Sequence, residues 1–221
     1  MKKLHKSTSL VTLFVLLFSL IIPASAVDET SASLPSIQIG EKIGNCTVVD
    51  IQEHTLSTDE VVDYYMTEKG YSLEAAQEQA LQLLLASETI STTVVTVNAT
   101  DDLGITSNIE IGCRVLMSSS GARSCFKEIL DSWTGIVSSG IQQWNEFTHS
   151  ATIVGAKRVS IDFYARGTID VAISRSTSQG ISIQLLESLG YSVESSTSTT
   201  YYARKVVDLK GSYTLPGYTY P

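Results

Sequence analysis

The sequence predicts a mainly β protein: an antiparallel β-sandwich over residues 90–221, preceded by a small helical hairpin over residues 57–88. Three observations lead to this prediction. After residue 90, several stretches alternate apolar and polar residues with period two, and β-branched and aromatic side chains are frequent in them. Gly- and Ser-rich turn segments separate these stretches. Just before them, apolar residues recur three and four positions apart, which is the spacing of an amphipathic helix.

Residues 1–26 have the three parts of a secretory signal peptide. A basic start, MKKLHK, leads into an apolar run over residues 10–22, and Ala24 and Ala26 frame a cleavage site. We therefore expect cleavage after Ala26 and a secreted protein; an uncleaved N-terminal anchor is the alternative.

The charge of the chain is acidic. Cleavage after Ala26 would remove Lys2, Lys3 and Lys6 and no acid, which takes the formal charge from −8 to −11. Because an acidic surface repels phosphate backbones and anionic lipids, we expect no nucleic-acid partner.

The region before the sandwich divides into a leader and the helical hairpin. Residues 27–56 form a polar leader with a possible strand at 46–52. Ser57 and Glu60 have the spacing of a capping box, so a helix should begin there, and Gly70 should end it in the left-handed conformation. Ser72 should begin the second helix. Such a hairpin is either an appendage that packs on the sandwich or a pro-segment that aids folding.

Within the sandwich, residues 92–97, 108–117, 143–154 and 199–209 are predicted strands. Residues 122–137 carry a helical stripe that includes Phe126, Ile129 and Trp133, yet Gly135 and the β-rich surroundings favour a strand followed by a turn at 135–140. Residues 181–189 fit a short helix or a buried strand.

Residues 159–174 are predicted to form a long hairpin at the centre of the sandwich. A loop made of Arg166, Gly167 and Thr168 pairs Phe163 with Val171, so that apolar residues share one face. A two-residue loop would mix the core and solvent faces.

Three cysteines follow the signal peptide, and secretion permits disulfides. A turn centred on Ser119 would bring Cys113 opposite Cys125, so we predict a disulfide between them. Cys46 is then buried, free or intermolecular; a bridge from Cys46 to Cys113 or Cys125 is the alternative.

No motif for catalysis, a metal or a cofactor is present. The chain has no G-x-S-x-G elbow and no zinc-ligand spacing. A Ser-His-Asp site would have to use His54 or His149, and His149 fits a hydrogen-bonded strand histidine better than a catalytic base. We therefore assign no catalytic residue, no metal and no cofactor, and expect a protein that is not an enzyme.

Aromatic residues are the remaining candidates for a binding site. Exposed Trp and Tyr on a rigid sheet can stack on sugars or anchor a protein partner. The candidate ligand-binding residues are Trp144, Tyr213, Tyr218 and Tyr220. They predict a secreted, non-catalytic binding or interaction protein of the cell envelope or extracellular space, with a cell-wall glycan or a protein as partner.

Two alternatives stay open. The Ser/Thr run at 194–200 also fits the inserting hairpin of a membrane-active β-type toxin or bacteriocin-like effector, the one case in which we expect a membrane partner. An extracellular hydrolase without a legible motif is the second alternative, because paired carboxylates are set by the fold and not by spacing.

Overall fold

Two antiparallel sheets enclose an apolar core in the computed structural model of the chain, which confirms the predicted fold class. The structure describes residues 34–99, 107–120, 123–137, 142–174, 183–188, 190–195 and 200–218. The predicted signal peptide and its cleavage site lie outside these residues.

The first sheet has five strands in sequential order. They are β1 (Lys42–Ile43), β2 (Cys46–Thr55), β3 (Glu88–Asn98), β4 (Asn108–Ser120) and β5 (Arg123–Ile136). The second sheet has four strands in the order β6-β7-β9-β8. They are β6 (Gln142–Val154), β7 (Ser160–Ser174), β8 (Ser192–Ser195) and β9 (Thr200–Thr214). The helices are α1 (Thr58–Thr67), α2 (Leu73–Leu85) and α3 (Ile183–Ser188). Of the two structures that the sequence allowed for 181–189, the described residues of this stretch form the helix α3.

The helical hairpin forms where it was predicted, but two strands of the first sheet precede it. The Ser57 hydroxyl accepts from the backbone of Glu60, and the Glu60 carboxylate accepts from the backbone of Ser57 at 2.8 Å, so the capping box is complete. Val61 and Tyr64 pack with Ile90 on the outer face of the first sheet. The strand of the predicted leader is β2, a full member of this sheet.

The predicted hairpin at 159–174 is wrong, because β7 runs unbroken from Ser160 to Ser174. The odd-numbered residues from Ile161 to Val171 are buried, and Gly167 continues this row opposite Val207 of β9. A three-residue loop preserves the same odd-numbered phase, so alternation alone does not separate a loop from a continuous strand. The glycine is needed because the indole of Trp144 lies over it: a Cβ at position 167 would lie 2.5 Å from Cη2 of Trp144.

Gly167→Ala should therefore lower the free energy of unfolding by about 1–3 kcal/mol, since a methyl group would be forced against the indole and the carbonyl oxygen of Asn145. Urea denaturation measures the change. Gly135→Ala in β5 is the matched control, because the atoms nearest its added Cβ belong to the movable side chain of Glu110. Equal, small losses in the two variants would contradict the packing described for β7.

Residues 123–136 form the strand β5, which confirms the predicted strand. The helix-like spacing of apolar residues in this segment comes from irregular strand pairing. Pairing with β4 skips Leu130 and then Lys127, so β5 carries two bulges. The core-facing residues Phe126 and Ile129 consequently lie three positions apart, a spacing that imitates a helix.

The first sheet curls until its β1–β2 end meets the free edge of β9. Backbone groups of Pro35 and Ile37 bond to Ser212 at 2.9 and 2.8 Å. The side-chain amide of Asn45 donates to the carbonyl of Val206 at 2.7 Å and accepts from the backbone of Asp208 at 3.1 Å. These bonds satisfy backbone groups that an open edge strand would expose.

The described part of the chain contains no helix that is long and apolar enough to cross a membrane.

Candidate ligand-binding site

A cavity of about 430 Å³ lies where the start of β5, the β6–β7 turn and the segment after β9 meet. Small-molecule sites fall in the range of about 300–1,000 Å³. The described residues that line the cavity come from all three segments: Arg123, Ser124, Cys125, Lys157, Val159 and Tyr218.

A tight turn places Tyr218 in this cavity. The backbone N–H of Tyr218 donates to the carbonyl of Leu215 at 3.2 Å, and Gly217 between them has φ +85°. Proline at position 216 followed by a left-handed glycine is the signature of a type II turn. The N–H of Leu215 in turn donates to the carbonyl of Val159 at 3.0 Å, which fixes the turn to the opposite wall.

Arg158 fixes the β6–β7 turn to β5 and so positions Lys157. The backbone N–H of Phe126 donates to the carbonyl of Arg158 at 2.8 Å, and Nε of Arg158 donates to the carbonyl of Phe126 at 2.9 Å. The same guanidinium also donates to the carbonyl of Lys127. These bonds tie the β6–β7 turn to β5 on this side of the cavity.

The cavity combines an apolar floor with a cationic rim. Val159 is buried, and the ring of Tyr218 packs against the core. Arg123 and Lys157 are exposed at the rim, no carboxylate is among the described lining residues, and neither cation forms an ion pair with a residue that the structure describes. This combination suits a molecule with an apolar body and an anionic group.

Tyr218 adds a polar contact at the boundary between floor and rim. Its hydroxyl oxygen accepts the backbone N–H of Ser124 at 3.2 Å. A phenol has one hydrogen to donate, and no described residue accepts that of Tyr218, so it can be donated to a ligand oxygen.

The predicted Cys113–Cys125 disulfide is wrong, since both cysteines are free. The strands pair Ser120 with Arg123, and this register sets Cys125 opposite Ser118 and not opposite Cys113. The turn is thus further along the chain than the predicted centre at Ser119.

The three thiols differ in their surroundings. Cys46 and Cys113 are buried in the core, and burial raises the pKa of Cys113 to about 12. Cys125 is half-buried and lines the cavity. Reactivity follows exposure and thiolate character, so Cys125 is the accessible thiol.

The native protein should accordingly take up one N-ethylmaleimide group, at Cys125, and the protein unfolded in urea should take up three. Intact-mass measurement before and after the reaction counts the adducts, and Cys125→Ser should leave the native protein unlabelled. An unlabelled native wild type, or labelling at Cys113, would contradict the placement of these thiols.

Of the predicted ligand-binding aromatics, Tyr218 lines the cavity and the others do not. Trp144 is half-buried over Gly167, and its Nε1 donates to Oγ1 of Thr134 at 2.9 Å. Tyr213 is 4 % exposed and donates to Glu53, so it belongs to the core; its burial raises the pKa of the phenol. Tyr220 lies outside the described residues.

His149 belongs to a hydrogen-bond network between β5 and β6. A bulge at Phe147 turns His149 towards β5, where Nε2 lies 3.0 Å from the carbonyl oxygen of Ser132. Nδ1 lies 2.7 Å from Oε1 of Glu146, whose pKa is lowered by hydrogen bonds from Thr134 and then from His149. Both ring nitrogens face acceptor oxygens, so neither is free to take a proton from a nucleophile.

His54, the second histidine of the described residues, is also hydrogen-bonded within the fold. Nε2 of His54 lies 2.9 Å from Oε1 of Glu60, the residue that completes the capping box of α1. Among the described residues, no group of three or more His, Cys, Asp or Glu side chains could hold a metal ion.

Sequence reasoning missed the two cations of the site. Arg123 lies at the start of the predicted strand segment 122–137, and Lys157 lies between the predicted strand at 143–154 and the predicted hairpin at 159–174. Basic residues at such places are ordinary surface residues, and only the fold brings these two together. The Leu-Pro-Gly-Tyr stretch was the available signal, because its turn chemistry fixes a tyrosine at a defined place.

The chain matches no protein-family model, no curated protein and no solved structure.

Proposed function

We propose that this chain is an exported, non-catalytic binding protein whose ligand is a small amphiphile with an anionic group, held in the cavity around Tyr218. The observation that carries the proposal is an apolar floor bordered by Arg123 and Lys157, with no described acid in the lining. The apolar body would lie on Val159 and the ring of Tyr218. The anionic group would meet the two cations and the phenol hydroxyl.

Binding without turnover is favoured because the histidine that the sequence offered as a possible base, His149, is fully hydrogen-bonded. His149 has both ring nitrogens engaged, at 2.7 and 3.0 Å from oxygen atoms, and so supports no acid–base role. The described lining of the cavity combines the cations Arg123 and Lys157 with the phenol of Tyr218 and the thiol of Cys125, and it contains no histidine or carboxylate that could act as a general base.

A ligand stacked on surface aromatics is less favoured. Tyr213 is buried and Trp144 is covered by its packing on Gly167, so the two offer no flat exposed platform for a sugar.

Titration calorimetry with dodecanoate tests the proposal. We expect saturable binding with one site, and a loss of about tenfold or more in affinity for the double variant Arg123→Ala/Lys157→Ala, since each lost charge contact is worth on the order of 1 kcal/mol. The double variant Arg166→Ala/Lys210→Ala is the control: these exposed cations lie on the outer face of the second sheet and line no part of the cavity.

Dodecanol, which has the same chain without the charge, should bind at least about tenfold more weakly than dodecanoate. An absence of dodecanoate binding, or an equal loss of affinity in the control variant, would overturn the proposal.

A further inference from the structure

The outer face of the helical hairpin carries an apolar groove that no described residue covers. The inner face of the hairpin packs on the first sheet, where Val61, Tyr64 and Ala80 are buried. On the other side the exposed leucines of α2 form a stripe at helical spacing. They are Leu73, Leu81, Leu84 and Leu85, which are 51, 56, 58 and 78 % exposed.

The stripe borders a groove of about 200 Å³ between the first turns of α1 and the second half of α2. Val62, Leu81 and Leu84 supply its apolar walls, and Asp59 stands at one end. A concave apolar groove between two helices accepts the side chains that a third helix presents at positions i, i+3 and i+4.

The charge of the hairpin is strongly one-sided. Residues 57–88 contain seven acids and one base, so their formal charge is −6. The one base, Lys69, lies at the far tip with its ammonium 5.4 Å from the centre of the Tyr64 ring. Near the groove itself, Asp59 belongs to the lining, and Glu74 and Glu78 lie one helical turn before its residues Gln77 and Leu81 on α2.

We infer that this groove is a docking site for a cationic amphipathic helix of a partner protein. Such a helix would place leucine-type side chains between Val62 and Leu84 and set its lysines or arginines against the surrounding acids. In a complex with a second copy of this chain, two hairpins that each have a formal charge of −6 would repel each other. An anionic bilayer would be repelled in the same way. The inference is independent of the ligand cavity, whose rim has the opposite charge.

The test uses a fluorescein-labelled helical peptide made of leucine and lysine, with the leucines on one face, and measures its anisotropy with the full protein at about 0.15 M salt. We expect saturable binding that weakens about tenfold or more for Leu81→Ser/Leu84→Ser, which changes no charge. Phe147→Ser/Val206→Ser removes apolar side chains that are 61 and 50 % exposed on the second sheet, and this control should keep the wild-type affinity. A peptide with glutamate in place of lysine should bind at least about tenfold more weakly.

Three results would overturn the inference. If Leu81→Ser/Leu84→Ser binds the peptide as tightly as the wild type does, the groove is not the binding site, and the peptide is held only by the negative charge of the protein. Self-association of the wild type that the same variant abolishes would assign the groove to a second copy. Binding to phosphatidylcholine vesicles that the variant abolishes would assign it to a lipid surface.

Discussion

Gly44→Ala should destabilise the protein by about 2–5 kcal/mol, because the substitution combines two penalties. Gly44 has φ +62°, a left-handed conformation that costs alanine about 1–2 kcal/mol. A Cβ at this position would also lie 1.8 Å from the backbone carbonyl oxygen of Asp208. A backbone oxygen in a strand cannot move away as a side chain can. The β1–β2 turn would have to separate from β9, where Asn45 now holds the two sheets together.

Urea denaturation of Gly70→Ala is the matched control for this prediction. Gly70 is also left-handed, with φ +69°, but an added Cβ there would meet nothing within 4 Å. Its loss should be limited to the conformational penalty of about 1–2 kcal/mol. Equal losses for the two variants would mean that the close approach between the β1–β2 turn and β9 does not exist.

Phe163→Ala should remove about 3–5 kcal/mol from the free energy of unfolding. Phe163 is 2 % exposed in the first third of β7, and its strand neighbours are Ala151 on β6 and Gly211 on β9. Because these neighbours are small, they cannot fill the space that the ring leaves, so most of the cavity should persist. The loss is measured by urea denaturation, as the shift of the midpoint between the wild type and the variant when both unfold with the same dependence of free energy on urea concentration.

Phe147→Ala provides the comparison for Phe163→Ala. Phe147 occupies the bulge of β6 and is 61 % exposed, so its removal should change stability by no more than about 0.5 kcal/mol. A Phe163→Ala loss below about 1 kcal/mol, or a Phe147→Ala loss of the same size as that of Phe163→Ala, would contradict the core described for the second sheet.

The fold class and the helical hairpin could be predicted because their signals are local. The capping box of Ser57 and Glu60 involves neighbours in sequence, and the alternation along β7 follows directly from the pleat of a strand. The errors lie where strand partners decide the outcome. In the sequence alone Gly167 looks like a turn residue, and only the structure shows that it is needed because the indole of Trp144 packs over it. In β5 the two bulges give the apolar residues a helix-like spacing, and the bulges are set by pairing with β4.

The candidate site was less predictable than the fold. Tyr218 was among the predicted binding residues as one of several aromatics that could be exposed, and the structure adds that a turn at Pro216 and Gly217 fixes its place. Arg123 and Lys157 are 34 positions apart and share no local pattern. The β6–β7 turn, which carries Lys157, is held to β5 by hydrogen bonds from the guanidinium of Arg158 to the backbone carbonyls of Phe126 and Lys127. Periodicity carries no information about such contacts.

The rate at which N-ethylmaleimide modifies Cys125 tests the proposed cavity most directly, because this thiol lies in its lining. If an anionic amphiphile occupies the cavity, saturating dodecanoate should slow the reaction of Cys125 by about tenfold or more, since the bound chain would cover the thiol. Arg123→Ala/Lys157→Ala should need at least about tenfold more dodecanoate than the wild type for the same protection. An unchanged rate at a concentration that calorimetry shows to be saturating would place the ligand elsewhere and contradict the account.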